Sequence, residues 1–509
     1  NKSRENIKVI VIGGGISGLS TADYLINRYG FPNVLLLEAS ERLGGRIHPV
    51  KFGDSYLQLG AEWVHGKGNP VYALAEKLAL LPTASESTRF EKLEARFLMG
   101  NGHEVPEKLI NRFFEFYEST TEHLNQIVEN GFYLSHSIGH LYKEAFALFL
   151  SNSQPNEQEK DIYWGLFCFI QKIVEGEHAV ADWNELSFRN WSEWVEEPEE
   201  EEITLDSRGY KIILDSFIAQ IDSDKIKLNS RVELIDWSDR LIKVEVSAGY
   251  VYTADHVIVT CPLGHLKRYA PTMFKPALPK QKWTAINSMQ FDSLDKVFFI
   301  YEKPWWSGHT DEFNIIRIED DENSSDFNIS TKNKKINNDC SSLFHTFYAH
   351  PWHDNVLAAL IAGENPVLME AATDEQLIRS ATFLLRSFIG KADIPEPRRI
   401  IRSQWLSNSL FCGSYSSYSM KANEKKANYE HIARPLSITI DKQKIPVVQF
   451  AGEATHSSMF QTTHGAVLTG WREAKRLHSF YSNSKQAKTA SPSVSGAGKS
   501  SDLSRLSSG

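Results

Sequence analysis

The stretch from Lys8 to Glu38 constrains this chain more than any other. It opens on Val9-Ile10-Val11-Ile12, a β-branched apolar run of the kind that forms a strand buried on both faces. Gly13, Gly15 and Gly18 follow at the spacing G-x-G-x-x-G, and Leu19, Ala22, Leu25 and Ile26 then recur at helical spacing. A second apolar run, Val34 to Leu37, ends on Glu38. The order is strand, tight turn, helix, strand, acid. In such a unit the first glycine permits the turn, the second lets a pyrophosphate approach the backbone, and the third lets helix and strand pack closely. The helix N-terminus then faces the phosphates. Glu38 lies twenty residues after Gly18, where a carboxylate can accept hydrogen bonds from a ribose diol. The alternative is a glycine-rich turn in a purely structural unit. Strand, helix and acid together favour a dinucleotide site.

At 509 residues the chain is too long for one core, so two or more domains are expected. A formal charge of −9 argues against nucleic acid as a partner and suits a cationic ligand. Cys168, Cys261, Cys340 and Cys412 are widely spaced with no C-x-x-C, so neither a zinc cage nor a disulfide frame is suggested and no metal is expected. Reduced thiols in an intracellular compartment are the simpler reading. No apolar signal segment precedes the first strand, and no run approaches the roughly 20 apolar residues of a membrane span. The sequons at Asn1, Asn190, Asn323 and Asn328 are therefore read as chance matches.

Further on, Arg46 follows a Gly-Gly pair, where a guanidinium suits a phosphate oxygen. Gly60-Ala61 puts small residues where a flat ring could pass the main chain, with Trp63 and His65 beside it. Residues 74–130, 138–150 and 164–174 read as helices. Trp183 to Glu202 is rich in tryptophan and acid, and its run of acids is read by itself as a solvated loop. Strand patterns return in RVELIDWS, LIKVEVSAGYVY and DHVIVTCPLGHLK, then in DKVFFIYE and SLFHTFYAH. Residues 370–390 are helical. The last ordered block, from VVQFAGEATH to WREAKRL, reads as strand, turn, loop and helix. From Lys485 to Gly509 the composition is Ser, Ala, Gly and Lys without periodicity, and disorder is expected.

Four pieces, GGGISGL with Glu38, ERLGGRIHPV, LGAEWVHG and FAGEATHSSMFQTTHGAVLTGWREAKRL, together closely resemble the flavin-dependent amine oxidases, and within them the polyamine oxidases. The resemblance runs from about Ile7 to Tyr481. It implies an α/β fold: a Rossmann-like FAD-binding domain of the amine oxidase type, assembled from residues 1–95, 203–270 and 400–484. A second, α+β substrate domain, residues 96–202 and 271–399, would carry a mixed sheet with flanking helices.

Carried over residue by residue, the resemblance assigns Gly13, Gly15, Ser17 and Gly18 to the pyrophosphate, Glu38 to the adenosine ribose and Arg46 to a phosphate. Gly60, Ala61, Glu62 and Trp63 would line the isoalloxazine, and Val232 would meet the adenine. Gly452 and Glu453 would lie at the ribityl and pyrophosphate region, with Trp405 and Phe411 near the flavin. Lys296 matches the lysine that holds a water against flavin N5. His65 matches the histidine beside the substrate amine, and Glu193 resembles the glutamate that meets a distal ammonium. Phe411, Phe460 and Thr462 would also face the substrate.

The implied reaction is FAD-dependent oxidation of spermine or its N1-acetylated relatives. Hydride passes from the carbon next to an amine nitrogen to N5, the imine is hydrolysed to amine and aldehyde, and dioxygen yields hydrogen peroxide. An L-amino-acid oxidase of the same fold is the alternative; a non-catalytic FAD-stabilised binding protein is more remote. The pattern also departs from its relatives. Phe460 stands where the family often has Tyr, and Thr462 where monoamine oxidases have a tyrosine, so a tunnel is expected rather than a narrow aromatic cage. No cysteine lies between Phe450 and Tyr481, so FAD is expected to be non-covalent. Ser504-Arg505-Leu506 resembles a peroxisomal signal, but three residues follow it, so a cytoplasmic location is expected, with the peroxisome as alternative. Unacetylated spermine is slightly favoured over the acetylated forms.

Overall fold

The computed structural model describes residues 7–83, 94–131, 135–194, 202–306, 311–318 and 340–489. The acids Glu196 to Glu201 and the expected tail beyond residue 489 lie outside the described residues.

The glycine-rich unit forms as its pattern requires. The strands Ile7–Ile12 and Val34–Leu37 run parallel, with Val9 opposite Val34 and Ile12 opposite Leu37. Val251–Val259 pairs parallel on the other side of Ile7–Ile12, and Gln443–Phe450 parallel beyond that. Ile226–Lys227 pairs parallel with Val34–Leu37 at the opposite edge. Because strand side chains alternate, this central layer feeds two cores at once. Val9, Val11, Val34, Leu36 and Ile258 pack with Leu19, Leu25 and Leu477 on one face. Ile10, Ile12, Leu35, Leu37, Val257 and Val259 pack with Leu263 and Phe450 on the other. The antiparallel strands Val232–Asp236 and Ile242–Val246, with Leu436–Ile440 antiparallel to Gln443–Phe450 and Phe274–Lys275 at the far edge, bring the sheet to nine strands. Phe274–Lys275 joins the same sheet beside Val232–Asp236, and the helix Lys280–Ser288 packs on that core. This first unit therefore continues past residue 270, where the sequence reading ended it.

The second unit is a seven-stranded mixed sheet in the order Arg399–Arg402, Asp295–Ile300, Val356–Ile361, Thr346–Ala349, Asp311–Ile315, Glu94–Gly100, His103–Glu104. Its pairings are antiparallel except that between Asp311–Ile315 and Glu94–Gly100. The helices Glu107–Glu129, Ile138–Ser153 and Glu157–Glu177 pack through an aromatic core that includes Phe113, Phe146, Phe167 and Trp183. The two units meet through short ribbons: Trp63–His65 pairs antiparallel with Glu202–Thr204, and Gln290–Asp292 with Tyr415–Ser417.

The helix that closes the first unit runs from Thr463 to Thr489, past the Lys485 at which order was expected to end. Its apolar face, through Val467, Ala474 and Leu477, docks on the helix Ile16–Asp23 and carries the last turns with it. Among the described residues no helix is long and apolar enough to cross a membrane.

Candidate active site

One cavity of about 1060 Å³ runs between the two units and lies at the carboxyl ends of the parallel strands, the usual ligand position in an open α/β sheet. Gly13, Gly15 and Ser17 form its floor. Gly13 has φ +110°, a conformation that favours glycine. Gly18 does not reach the cavity; a side chain there would run into the Gly13 carbonyl, so its role is close packing of helix on strand. The Ser17 hydroxyl is buried without a hydrogen-bond partner among the described residues. The Glu38 carboxylate accepts from the Gly14 amide at 2.6 Å and from the Ser40 amide and hydroxyl at 2.8 Å. Those bonds fix Glu38 facing the cavity while leaving acceptor capacity for a diol.

Arg46 reaches the same wall, but part of its guanidinium is already engaged. Nη1 donates to the Ser414 carbonyl at 2.6 Å and to Glu453 Oε1 at 3.0 Å. Glu453 Oε2 accepts from the Ser416 hydroxyl at 2.6 Å and the Gln461 amide at 3.1 Å. Two residues each expected to touch the cofactor thus also brace one another, holding the segments around 46, 414 and 453 together. Val232, Trp405, Phe411 and Gly452 complete this half of the cavity. Trp405 stacks edge-on against Phe411, with centroids 5.1 Å apart. The free helix N-terminus, the unpartnered Ser17 hydroxyl, the oriented Glu38 and the two aromatics fit FAD.

Gly60, Ala61, Glu62 and Trp63 line the middle of the cavity, with Lys296. The Lys296 ammonium, on the fully buried strand Asp295–Ile300, donates to the Glu62 carboxylate and to the Gln58 carbonyl at 3.3 Å. It also lies 4.5 Å from the centre of the Trp63 ring. The pairing of Glu62 with Lys296 was not foreseen from sequence.

His65 is brought to the wall by the ribbon that sets it directly opposite Glu202. Its Nδ1 is 3.9 Å from Glu202 Oε1. Enclosure holds the imidazole below its ordinary range, against the pull of Glu202, so the ring is neutral at physiological pH. Glu177, at the end of the helix Glu157–Glu177, faces the same space. Its side chain is reached by solvent within the cavity, yet the surrounding walls and the nearby Glu202 push its carboxyl up to about 7. Glu129 and Glu312 add carboxylates to the wall.

Two expected substrate contacts, Glu193 and Phe460, are placed away from the cavity wall, and a third, Thr462, lines it with its hydroxyl engaged. Glu193 is outside the cavity wall; its carboxylate is bound by Arg189 Nε at 2.7 Å and lies 3.5 Å from the Tyr418 hydroxyl. Phe460 is wholly buried behind Trp194, in an aromatic cluster with Tyr418 and Tyr429. Thr462 does line the wall, but its hydroxyl is used locally, donating to the Met459 carbonyl and accepting from the Gly465 amide. Glu177 was missed because nothing in its neighbourhood distinguishes it from any acid at a helix end. Glu202 was visible only as the last member of an acidic run, and its strand register is what brings it to His65.

Residues 16–478 match the model of the flavin containing amine oxidoreductase family. A peroxisomal N(1)-acetyl-spermine/spermidine oxidase of Bos taurus is 28% identical, over 92% of this chain and 94% of that one. Polyamine oxidase 1 of Oryza sativa subsp. japonica is also 28% identical, over 93% and 97%. In structure, a putrescine oxidase variant redesigned in its cofactor binding superposes with a TM-score of 0.65 at 18% identity, covering 93% of this chain and all of that one. That likeness is one of fold.

Proposed function

The chain belongs to the flavin-containing amine oxidoreductases, and on that premise we propose that it oxidises polyamines, with free spermine a better fit than the N1-acetylated forms. It is a flavoenzyme whose cofactor is FAD. When bound, the flavin accepts two electrons from the carbon next to an amine nitrogen, leaving an imine that water splits into amine and aldehyde, and its reoxidation by dioxygen gives hydrogen peroxide.

The observation that carries the substrate reading is the row of carboxylates, Glu177, Glu202, Glu129 and Glu312, in the wall of the same cavity that holds Lys296 and His65. A substrate with several ammonium groups spread along a flexible chain meets such a wall at more than one point. An acetamide end has no charge for it to meet. An amino acid would require a cation for its carboxylate, whereas the wall beside His65 presents Glu202 and Glu177. Neutral His65 can accept a proton or a hydrogen bond from the reacting amine, which must be uncharged to lose electrons. The apolar aromatics Trp405 and Phe411 disfavour a cation near them. Glu177 ionises as a cation docks, so its charge appears where it is needed.

From the likeness to the peroxisomal cattle oxidase we infer a peroxisomal location, the alternative to the cytoplasm expected from sequence; imaging of the tagged protein against a peroxisomal marker tests it. The substrate reading is tested by kcat/KM for spermine, N1-acetylspermine, benzylamine and leucine. Spermine should lead. A preference for leucine, or turnover of benzylamine as fast as spermine, overturns it.

A further inference from the structure

The geometry points to Glu62 as a positioning residue that acts through Lys296: its carboxylate holds the lysine ammonium in place beside the flavin site. The inference rests on the reading of Lys296 as the lysine next to the flavin.

Lys296 lies on a strand whose residues are all buried, with a side chain 5% exposed. An ammonium in such a place is costly unless it is paired. Two of its contacts are neutral, the Gln58 carbonyl and the Trp63 face. Glu62, 8% exposed, supplies the negative charge through Oε2. The other carboxylate oxygen, Oε1, is 4.0 Å from His350 Nε2. The Trp352 amide donates to His350 Nδ1 at 3.2 Å, so the neutral ring carries its proton on Nε2, the atom that faces Glu62. That Nε2 is buried and has no hydrogen-bond partner among the described residues. Burial, His353 and Lys296 all hold His350 in the neutral state.

Glu62 is therefore bracketed by an ammonium on one side and an imidazole N–H on the other. Among the described residues the Tyr348 phenol, held protonated by burial and by Glu62 itself, also faces it, and His353 packs on His350. Asp295, next to Lys296 in sequence, points the other way and is bonded to Ser293, Ser403 and the Trp405 amide. Of the acids near the ammonium, Glu62 is the one bonded to it, and it is anchored from 234 residues away in the chain. Packing alone does not call for an acid here, between Ala61 and Trp63. A fixed charge on Lys296 does.

The test follows the visible spectrum of the FAD-loaded protein without turnover. Removing the ammonium in Lys296→Met should shift the flavin bands. Glu62→Gln keeps size and an acceptor oxygen but removes the charge that fixes the ammonium, so it should reproduce most of that shift. Glu62→Asp should restore most of the difference. A wild-type spectrum in Lys296→Met means that the lysine is not beside the flavin and sinks the underlying reading. A shifted spectrum in Lys296→Met together with a wild-type spectrum in Glu62→Gln overturns the role of Glu62 alone. If Glu62→Gln fails to fold or to retain FAD, the double variant Glu62→Gln/Lys296→Met should recover both, because the stranded ammonium is gone. Continued failure of the double variant also overturns the inference.

Discussion

A carboxylate that recognises an ammonium group must be ionised when they meet, and at Glu177 that condition falls near neutral pH. Its carboxyl is raised from the ordinary 4.5 to about 7 by enclosure and by Glu202. For a raised carboxyl the sign is fixed: the folded protein is favoured below the ordinary value, and that contribution is lost as pH climbs from about 4.5 through 7. A bound polycation reverses the loss by favouring the charged form. The increase in Tm caused by spermine should therefore be larger at pH 8 than at pH 6, and Glu177→Gln should flatten that difference. The same substitution removes a charge-assisted contact worth roughly 1.5–3 kcal/mol, so KM for spermine should rise about 10- to 100-fold, while benzylamine turnover changes little. Equal losses on both substrates would make Glu177 a structural acid. Glu193→Gln, by contrast, breaks a pair with Arg189 outside the cavity and should change all substrates alike. At this scale the sequence brought Gly13, Gly15, Ser17 and Glu38 to one cavity wall, because glycine spacing and the strand end that carries Glu38 act locally. It could not separate Glu177 from Glu175, two residues earlier, which is buried and tied to Lys172 at 2.6 Å. Only the packing of three helices against the sheet turns one toward the cavity and the other away.

The strand Asp295–Ile300 does two jobs with adjacent residues, one on each face. Lys296 points to the cavity, while Asp295 holds the turn that carries Trp405. Asp295 accepts from the Ser403 hydroxyl at 2.7 Å, the Trp405 amide at 3.1 Å and the Ser293 hydroxyl at 2.8 Å. Glu370 grips the same turn through the Leu406 and Ser407 amides, each at 2.7 Å. Burial, reinforced by Glu370, keeps the Asp295 carboxyl well above its ordinary range despite those bonds. Its preference for the protonated form stabilises the fold in acid and fades as pH rises from about 4 upward. Asp295→Asn keeps an acceptor without the charge, so its Tm relative to wild type should improve from pH 5 to pH 8. Asp295→Ala strands a buried amide and two hydroxyls and should lower stability by a few kcal/mol at any pH, at about 1–3 kcal/mol for each group left unsatisfied. A pH-independent effect of Asp295→Asn would show that the carboxyl is not held protonated. Elements were legible where their period was strong: Val9 to Ile12 is buried on both faces as its unbroken apolar run implies. They were not where partners are distant. Nothing local in Phe274–Lys275 marks it as an edge strand of the first sheet, and nothing in Glu202–Thr204 marks it as the partner of Trp63–His65. The final helix outran its expected end because its early turns are packed, and poor composition alone does not stop a helix already propagating.

For the whole molecule, the cofactor cavity is where distant parts of the chain converge. Its wall draws on residues 12–17, 37–47, 59–65, 230–232, 260–265, 405–415 and 452–466. A ligand in that wall adds bridges between segments already joined by strand pairing and by contacts such as Arg46 with Glu453. Anything that binds the folded but not the unfolded chain stabilises it by mass action. Removal of FAD should therefore lower Tm, and adding it back at about 100 times its Kd should restore roughly 2.7 kcal/mol. This dependence on concentration requires that the flavin not be covalently tethered. The cysteine in the cavity wall is Cys261, and burial with the nearby Glu38 pushes its thiol up to about 12. The thiolate, not the thiol, is the nucleophile, so a raised thiol disfavours attack by Cys261 on a flavin ring. No cysteine lies between Phe450 and Tyr481 to take its place. Acid precipitation of the holoenzyme should then release all of the FAD to the supernatant, and the released-flavin absorbance should equal that of the intact protein mole for mole. Flavin that stays with the pellet would show a covalent bond. A Tm independent of added FAD, in protein from which the flavin had been fully removed, would show instead that the segments around the cavity hold one another without it.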